Sequence, residues 1–108
     1  MAYSEALADR IAGMLSQESD VTTRKMFGGY AFMWRGNMLC GVMGDDIMVR
    51  VGPDAYEELL EEPGASVMDF THRPMKGMVM VSGEVLDDAT LSSWVGRAKD
   101  FVGALPAK

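Results

Sequence analysis

The feature that most constrains the fold is the stretch from Val21 to Gly52, where short β-prone runs alternate with glycine-containing pairs. The runs are Phe27–Trp34, Met38–Met43 and Ile47–Val51. They are separated by Gly36-Asn37 and Gly44-Asp45, and both pairs tolerate the positive φ that two-residue hairpin loops require. Because such turns join antiparallel neighbours, the stretch predicts a three-stranded antiparallel meander.

Three further segments show helical periodicity, with apolar residues recurring every three or four positions. Two weaker β-prone runs, Val67–Phe70 and Met78–Ser82, lie between the second and third of them and are separated by an irregular loop. The expected helices run from a cap at Ser4 to near Gln17, from Pro53 to just before Pro63-Gly64, and from a cap at Asp87 or Asp88 to Pro106.

These elements follow one another in the order α-β-β-β-α-β-β-α, which is typical of the α+β class. The chain has 108 residues, of which 48% are hydrophobic, so it can bury one core and is too short for two ordinary domains. We therefore expect a single domain over residues 1–108.

Strand parity divides the side chains of the meander between two faces. With two-residue loops, Met33 lies opposite Cys40 and Val42 lies opposite Ile47. A loop one residue longer at Gly36 would reverse the parity of the first strand. One predicted face is aliphatic and carries Ala31, Met33, Cys40, Val42, Ile47, Val49 and Val51. The other carries Tyr30, Phe32, Trp34, Leu39, Met43 and Met48, and it is interrupted by Gly41, Asp46 and Arg50.

The second of these faces is too apolar to be left in water. Three helices cannot easily cover both faces of a sheet in a chain this short, so we predict that a partner or a second copy packs on it. The six residues of that face are then the candidate interface of a homodimer. Two alternatives stay open: this face is the true core, or one helix layer covers each face.

The charge balance disfavours one class of partner. Ten Lys and Arg residues stand against 16 Asp and Glu, a formal net charge of -6. Such a chain lacks the general positive field with which proteins hold nucleic-acid phosphates, and it carries no recognisable nucleic-acid-binding motif. Direct nucleic-acid binding is therefore not expected.

The cysteine and histidine counts exclude further classes. With one Cys and one His, the chain can form no intramolecular disulfide, and it has too few ligands for a structural zinc site of Cys and His alone. We predict no metal and no cofactor. The N-terminal residues do not resemble a signal peptide, and no apolar run is long enough to cross a bilayer, so a cytoplasmic location without membrane contact is expected.

No catalytic residues are predicted. The mid-strand position of Cys40 favours a buried, inert thiol over a nucleophile. His72 lies in a polar loop with no serine or cysteine at a recognisable motif spacing. Basic residues of the two irregular segments could nevertheless converge on an anion, although solvated surface charge is the commoner explanation. These candidate anion-binding residues are Arg24, Lys25, His72, Arg73 and Lys76.

Several short motifs in combination resemble the TfoX/Sxy N-terminal domain family. The motifs are Arg24–Gly29 (RKMFGG), Asn37–Met38, Gly41–Val42, Arg50–Gly52 and Arg73–Gly77 (RPMKG). The resemblance extends from about Tyr3 to about Leu105, nearly the whole chain. It implies a two-layer α+β domain with an antiparallel sheet, like that of secretion-chaperone-type proteins.

The resemblance also suggests a function. Longer members of the family regulate natural competence, the uptake of DNA, alongside a cyclic-AMP-responsive transcription factor, and they carry a C-terminal domain that this sequence lacks. We therefore predict a non-enzymatic interaction or regulatory module, homodimeric, with a protein partner in transcription regulation. The alternative is a small-ligand or anion-binding domain that uses the five basic residues named above.

Overall fold

The computed structural model describes residues 3–26, 29–69 and 74–106, with the backbone alone for residues 26, 68–69 and 74–76. Within these ranges the chain forms three helices and six strands. The helices are α1 (Glu5–Met14), α2 (Pro53–Leu59) and α3 (Asp88–Val102), and a short 3-10 turn, Gly83–Val85, precedes α3. The strands are β1 (Val21–Met26), β2 (Gly29–Trp34), β3 (Asn37–Met43), β4 (Asp46–Arg50), β5 (Ala65–Asp69) and β6 (Pro74–Val81).

The predicted α+β class and element order are confirmed, and β1 is an additional strand. It pairs with β2 without interruption, from Val21 opposite Trp34 to Met26 opposite Gly29. Residues 22–25 of β1 are polar and exposed. An edge strand with so little to bury has no hydrophobic alternation, which is why the sequence pattern did not reveal it.

Side chains cap the first and last helices as the sequence predicts. The Ser4 hydroxyl accepts a hydrogen bond from the Leu7 amide at 3.2 Å. At the start of α3, a carboxylate oxygen of Asp87 accepts one from the Thr90 amide at 2.8 Å. Each bond satisfies an amide that has no partner within its helix, so the caps fix where these helices begin.

All six strands form one antiparallel sheet in the order β1-β2-β3-β4-β6-β5. The helices contribute to a core on one face of it, with Ile11 from α1, Tyr56 from α2 and Trp94 from α3. The helices are thus one layer and the sheet is the other. The buried strand residues of this core include Phe32, Trp34, Leu39, Cys40, Val42, Ile47, Val49, Val79 and Val81.

The turn between β2 and β3 lies one residue earlier than predicted. Trp34 pairs with Asn37, so the two loop residues are Arg35 and Gly36, both with positive φ (54° and 84°). Arginine is uncommon at positive φ, which is why the sequence favoured Gly36-Asn37 instead. The Arg35 guanidinium lies 4.8 Å from the centre of the Trp34 ring, a cation-π contact that helps to offset the strain.

A β-bulge at Leu39 in β3 reverses the alternation of side chains between the two faces of this hairpin. Met33 pairs with Met38 and Phe32 pairs with Cys40, so Leu39 is the extra residue on β3. As a result Phe32 faces the helices together with Cys40, and Met33 faces the other way. The prediction that an uncovered sheet face carries Tyr30, Phe32, Trp34 and Leu39 is therefore wrong. Phe32, Trp34 and Leu39 are buried under the helices, and Tyr30 packs against the same core.

Candidate interaction surface

The sheet face opposite the helices carries a second, separate apolar cluster. Its buried members are Ala31, Met48 and Met78, and Met33, Met38, Met43 and Met80 pack against them while partly exposed. No residue of the described helices belongs to this cluster. We call these seven residues, together with Gly41 at their centre, the methionine face.

The register of the strands explains how this face is organised. Ala31, Gly41, Met48 and Met80 lie side by side across β2, β3, β4 and β6. A Cβ placed on Gly41 would lie 2.5 Å from the terminal methyl carbon of Met48, so the Met48 side chain extends over the glycine. Small residues on β2 and β3 thus provide the space in which the Met48 side chain is fully buried.

The face therefore keeps two of the six predicted interface residues. Met43 and Met48 lie on it, as the second hairpin requires: Val42 pairs with Ile47 as predicted, and the loop is Gly44-Asp45. The candidate interface changes for a physical reason, because the bulge in the first hairpin exchanges aromatic side chains for methionines on the uncovered side.

The predicted basic cluster is not brought together where the structure describes it. Arg24 pairs with Ala31 and Lys25 pairs with Tyr30, so the two cations lie on opposite faces of β1. Lys76 lies in β6, four strands from β1, which places the two backbones about 19 Å apart. His72 and Arg73 lie outside the described residues, and so does the side chain of Lys76.

Lys25 lies instead beside the helix layer. It lines a cavity of about 320 Å³ with Glu5 and Asp9 of α1 and the rings of Tyr3 and Tyr30. Two carboxylates around one ammonium make this an unfavourable place for an anion. In the described part of the chain there is also no group of three or more His, Cys, Asp or Glu side chains that could hold a metal ion.

Few acidic residues lie in the strands of the sheet, and one of them, Asp46, pairs with Met43 at the edge of the methionine face. Within the six strands as described, Asp46 and Asp69 are the acidic residues, and each lies at a strand end. Asp46 is moreover held by the Gly83 amide, which donates a hydrogen bond to its carboxylate at 3.0 Å. The negative charge of the chain is thus carried by helices, turns and loops.

Cys40 is expected to be unreactive in the folded protein. Its side chain is fully buried, and burial raises the pKa of the thiol to about 12, so the nucleophilic thiolate is absent at neutral pH. Labelling with a thiol-specific disulfide reagent at pH 8 should show no fast phase, and one equivalent should react after unfolding in guanidinium. A fast, stoichiometric reaction in the native protein would contradict the buried position.

Comparison with known proteins gives one match. The model of the family described as TfoX N-terminal domain matches residues 13–102. Searches of curated proteins and of solved structures found no match. None of the helices in the described ranges is long and apolar enough to cross a membrane.

Proposed function

The chain belongs to the TfoX N-terminal domain family, and on that basis we propose that it is a non-enzymatic regulatory module that self-associates through the methionine face. The family supports a module of the competence-regulator type, and it is a regulatory-type domain rather than a known enzyme family. The observation that carries the proposal is the second apolar cluster, which no described helix covers.

The size of the face suits a small, reversible interface. The methionine face spans four strands about 4.8 Å apart and about six residues long, which gives it a projected area of roughly 400 Å². A standard interface takes about 800 Å² from each partner, so contact over this face alone belongs to the weaker class. We therefore expect a dimer whose population depends on protein concentration.

The net charge of the chain favours a second copy as the partner that covers the methionine face. A chain with net charge -6 repels its own copies, and this repulsion is smallest where the surfaces that meet carry little negative charge. Two methionine faces packed against each other would lie about 10 Å apart, with both acidic helix layers on the outside. The helices would then be separated by two sheets, a distance beyond the Debye length of about 8 Å at physiological ionic strength.

The chemistry of methionine supports self-association as well. A two-fold dimer places the same patch on both sides of the interface, so that patch must be complementary to itself. Methionine side chains are unbranched and flexible, and they can fill the gaps between two identical, corrugated surfaces.

The proposal is tested by light scattering on a concentration series of the wild type and of Met33→Lys. The wild type should pass from monomer to dimer between low micromolar and millimolar concentration. The variant should stay monomeric, because the long lysine stem preserves local packing while its charge opposes burial of the face. Far-UV circular dichroism should show that both are folded.

Ala55→Lys provides the matched control. Ala55 lies in a groove between α2 and α3, away from the methionine face, which Val51, Leu59 and Phe101 also line. This variant should dimerise like the wild type. A monomeric wild type at every concentration would overturn the proposal, and so would a dimer that Ala55→Lys disrupts and Met33→Lys does not.

Two further predictions from the sequence remain part of the proposal. One is a protein partner in transcription regulation, and the other is a cytoplasmic location. A free, buried Cys40 is compatible with that reducing compartment. The acidic helix layer, which stays exposed in the proposed dimer, disfavours direct contact with nucleic-acid phosphates.

A further inference from the structure

We infer that the partly exposed methionines of the methionine face are sites of reversible oxidation by peroxide, and that their oxidation dissociates the homodimer. This inference rests on the proposed function, because it adds a means of regulation to the same surface. It concerns Met33, Met38, Met43 and Met80.

The chemistry is a two-electron oxygen transfer. The thioether sulfur attacks one oxygen of hydrogen peroxide, the O–O bond breaks, and the products are methionine sulfoxide and water. A separate reaction restores the thioether: a methionine sulfoxide reductase removes the oxygen as water while two thiols are oxidised to a disulfide. The sulfur changes from apolar to strongly polar in the first step and returns to its apolar form in the second.

Exposure decides which sulfurs react. The four named methionines are partly exposed in the single chain, whereas Met48 is fully buried and Met78 nearly so. Susceptibility to oxidation follows exposure, so the four outer side chains should be converted before Met48 and Met78. Cys40 does not compete for peroxide, because its side chain lies within the core under the helices.

The reaction acts on the separated protomer. In the dimer the four sulfurs are shielded by the second copy, so peroxide reaches them only while the small interface is open. An oxidised protomer would have to bury sulfoxide oxygens without hydrogen-bond partners when it reassociates. We expect each buried sulfoxide to weaken association about tenfold, which is a typical penalty for one unsatisfied polar group. Oxidation therefore traps the monomer.

The experiment combines peptide mass spectrometry with light scattering. The wild type is treated with hydrogen peroxide at a concentration where it is mainly dimeric, the oxidised positions are mapped, and the mass of the particle is followed. Sulfoxide should accumulate at the four outer methionines, faster in dilute than in concentrated protein, and the dimer should disappear in parallel. Reductase with a dithiol should restore both the thioethers and the dimer.

Two variants separate this effect from general oxidative damage. The fourfold variant M33L/M38L/M43L/M80L keeps the apolar volume and removes the reactive sulfurs, so it should dimerise and stay dimeric in peroxide. Met14→Leu removes a partly buried methionine on the helix side, and this control should dissociate in peroxide like the wild type.

The outcomes distinguish the two proposals. A wild type that is monomeric before peroxide is added overturns the proposed function, and this inference falls with it. A dimer that survives conversion of the four methionines overturns the inference alone. The same holds if the fourfold leucine variant dissociates as readily as the wild type.

Discussion

Replacing Phe32 with alanine should lower the free energy of unfolding by about 3–5 kcal/mol, whereas Met33→Ala should lower it by about 1 kcal/mol. The two residues are neighbours in β2, but they lie on opposite faces. Phe32 is 1% exposed beneath the helices, so truncation would leave a cavity among side chains that cannot collapse to fill it. Met33 is partly exposed on the methionine face and loses less contact.

Denaturant unfolding of both variants, at a concentration where the protein is monomeric, measures this difference. The result also tests the bulge at Leu39, which alone determines the face on which each residue lies. A larger loss for Met33→Ala than for Phe32→Ala would mean that the hairpin follows the uninterrupted parity. Self-association adds no uncertainty here, because the comparison is made below the concentration at which dimers form.

The second large effect is expected at Gly52, which joins β4 to α2. Its φ of 86° and ψ of 159° lie in a region that is essentially restricted to glycine. A Cβ on this residue would also lie 2.4 Å from two ring carbons of Phe101. Both the Val51 and Gly52 amides donate to the Gly77 carbonyl, at 2.8 and 3.1 Å, which holds the backbone in place. Gly52→Ala should therefore lower the free energy of unfolding by about 3 kcal/mol.

Gly96→Ala is the matched control for this substitution. Gly96 lies within α3, and a Cβ there would meet no atom within 4 Å. Alanine is favoured over glycine in a helix interior, so this variant should be more stable than the wild type by about 1 kcal/mol. Thermal unfolding followed by circular dichroism compares the two. Equal effects at the two positions would contradict the restriction at Gly52.

Local signals in the sequence were sufficient for most of the elements. Helical spacing and the caps Ser4 and Asp87 located α1 and α3, and Pro53 located the start of α2. The pair Gly44-Asp45 gave the correct register of β3 against β4. Each of these signals acts within a few residues, because caps and tight turns are satisfied by backbone groups close in the chain.

The candidate surface was less predictable. Met43 and Met48 of the predicted interface lie outside the helix layer, but the aromatic residues assigned to the same face are in the core. The bulge at Leu39 caused this error, because the earlier turn at Arg35-Gly36 changes which residues pair but not the face on which they lie. A single extra residue reverses the side-chain alternation of a strand, and no pattern in the sequence marks that residue.

The sequence by itself determined the element types, their order, an antiparallel meander and a chain whose negative charge disfavours nucleic acid. These properties follow from local backbone preferences and from composition, and neither depends on the tertiary contacts between helices and strands. The tertiary structure alone decided which sheet face the helices cover, that Arg24 and Lys25 lie on opposite faces of β1, and that methionines remain on the uncovered side. The bulge is accepted because it brings Phe32, Leu39 and Cys40 together under the helices, and the benefit of that burial is a property of the whole core.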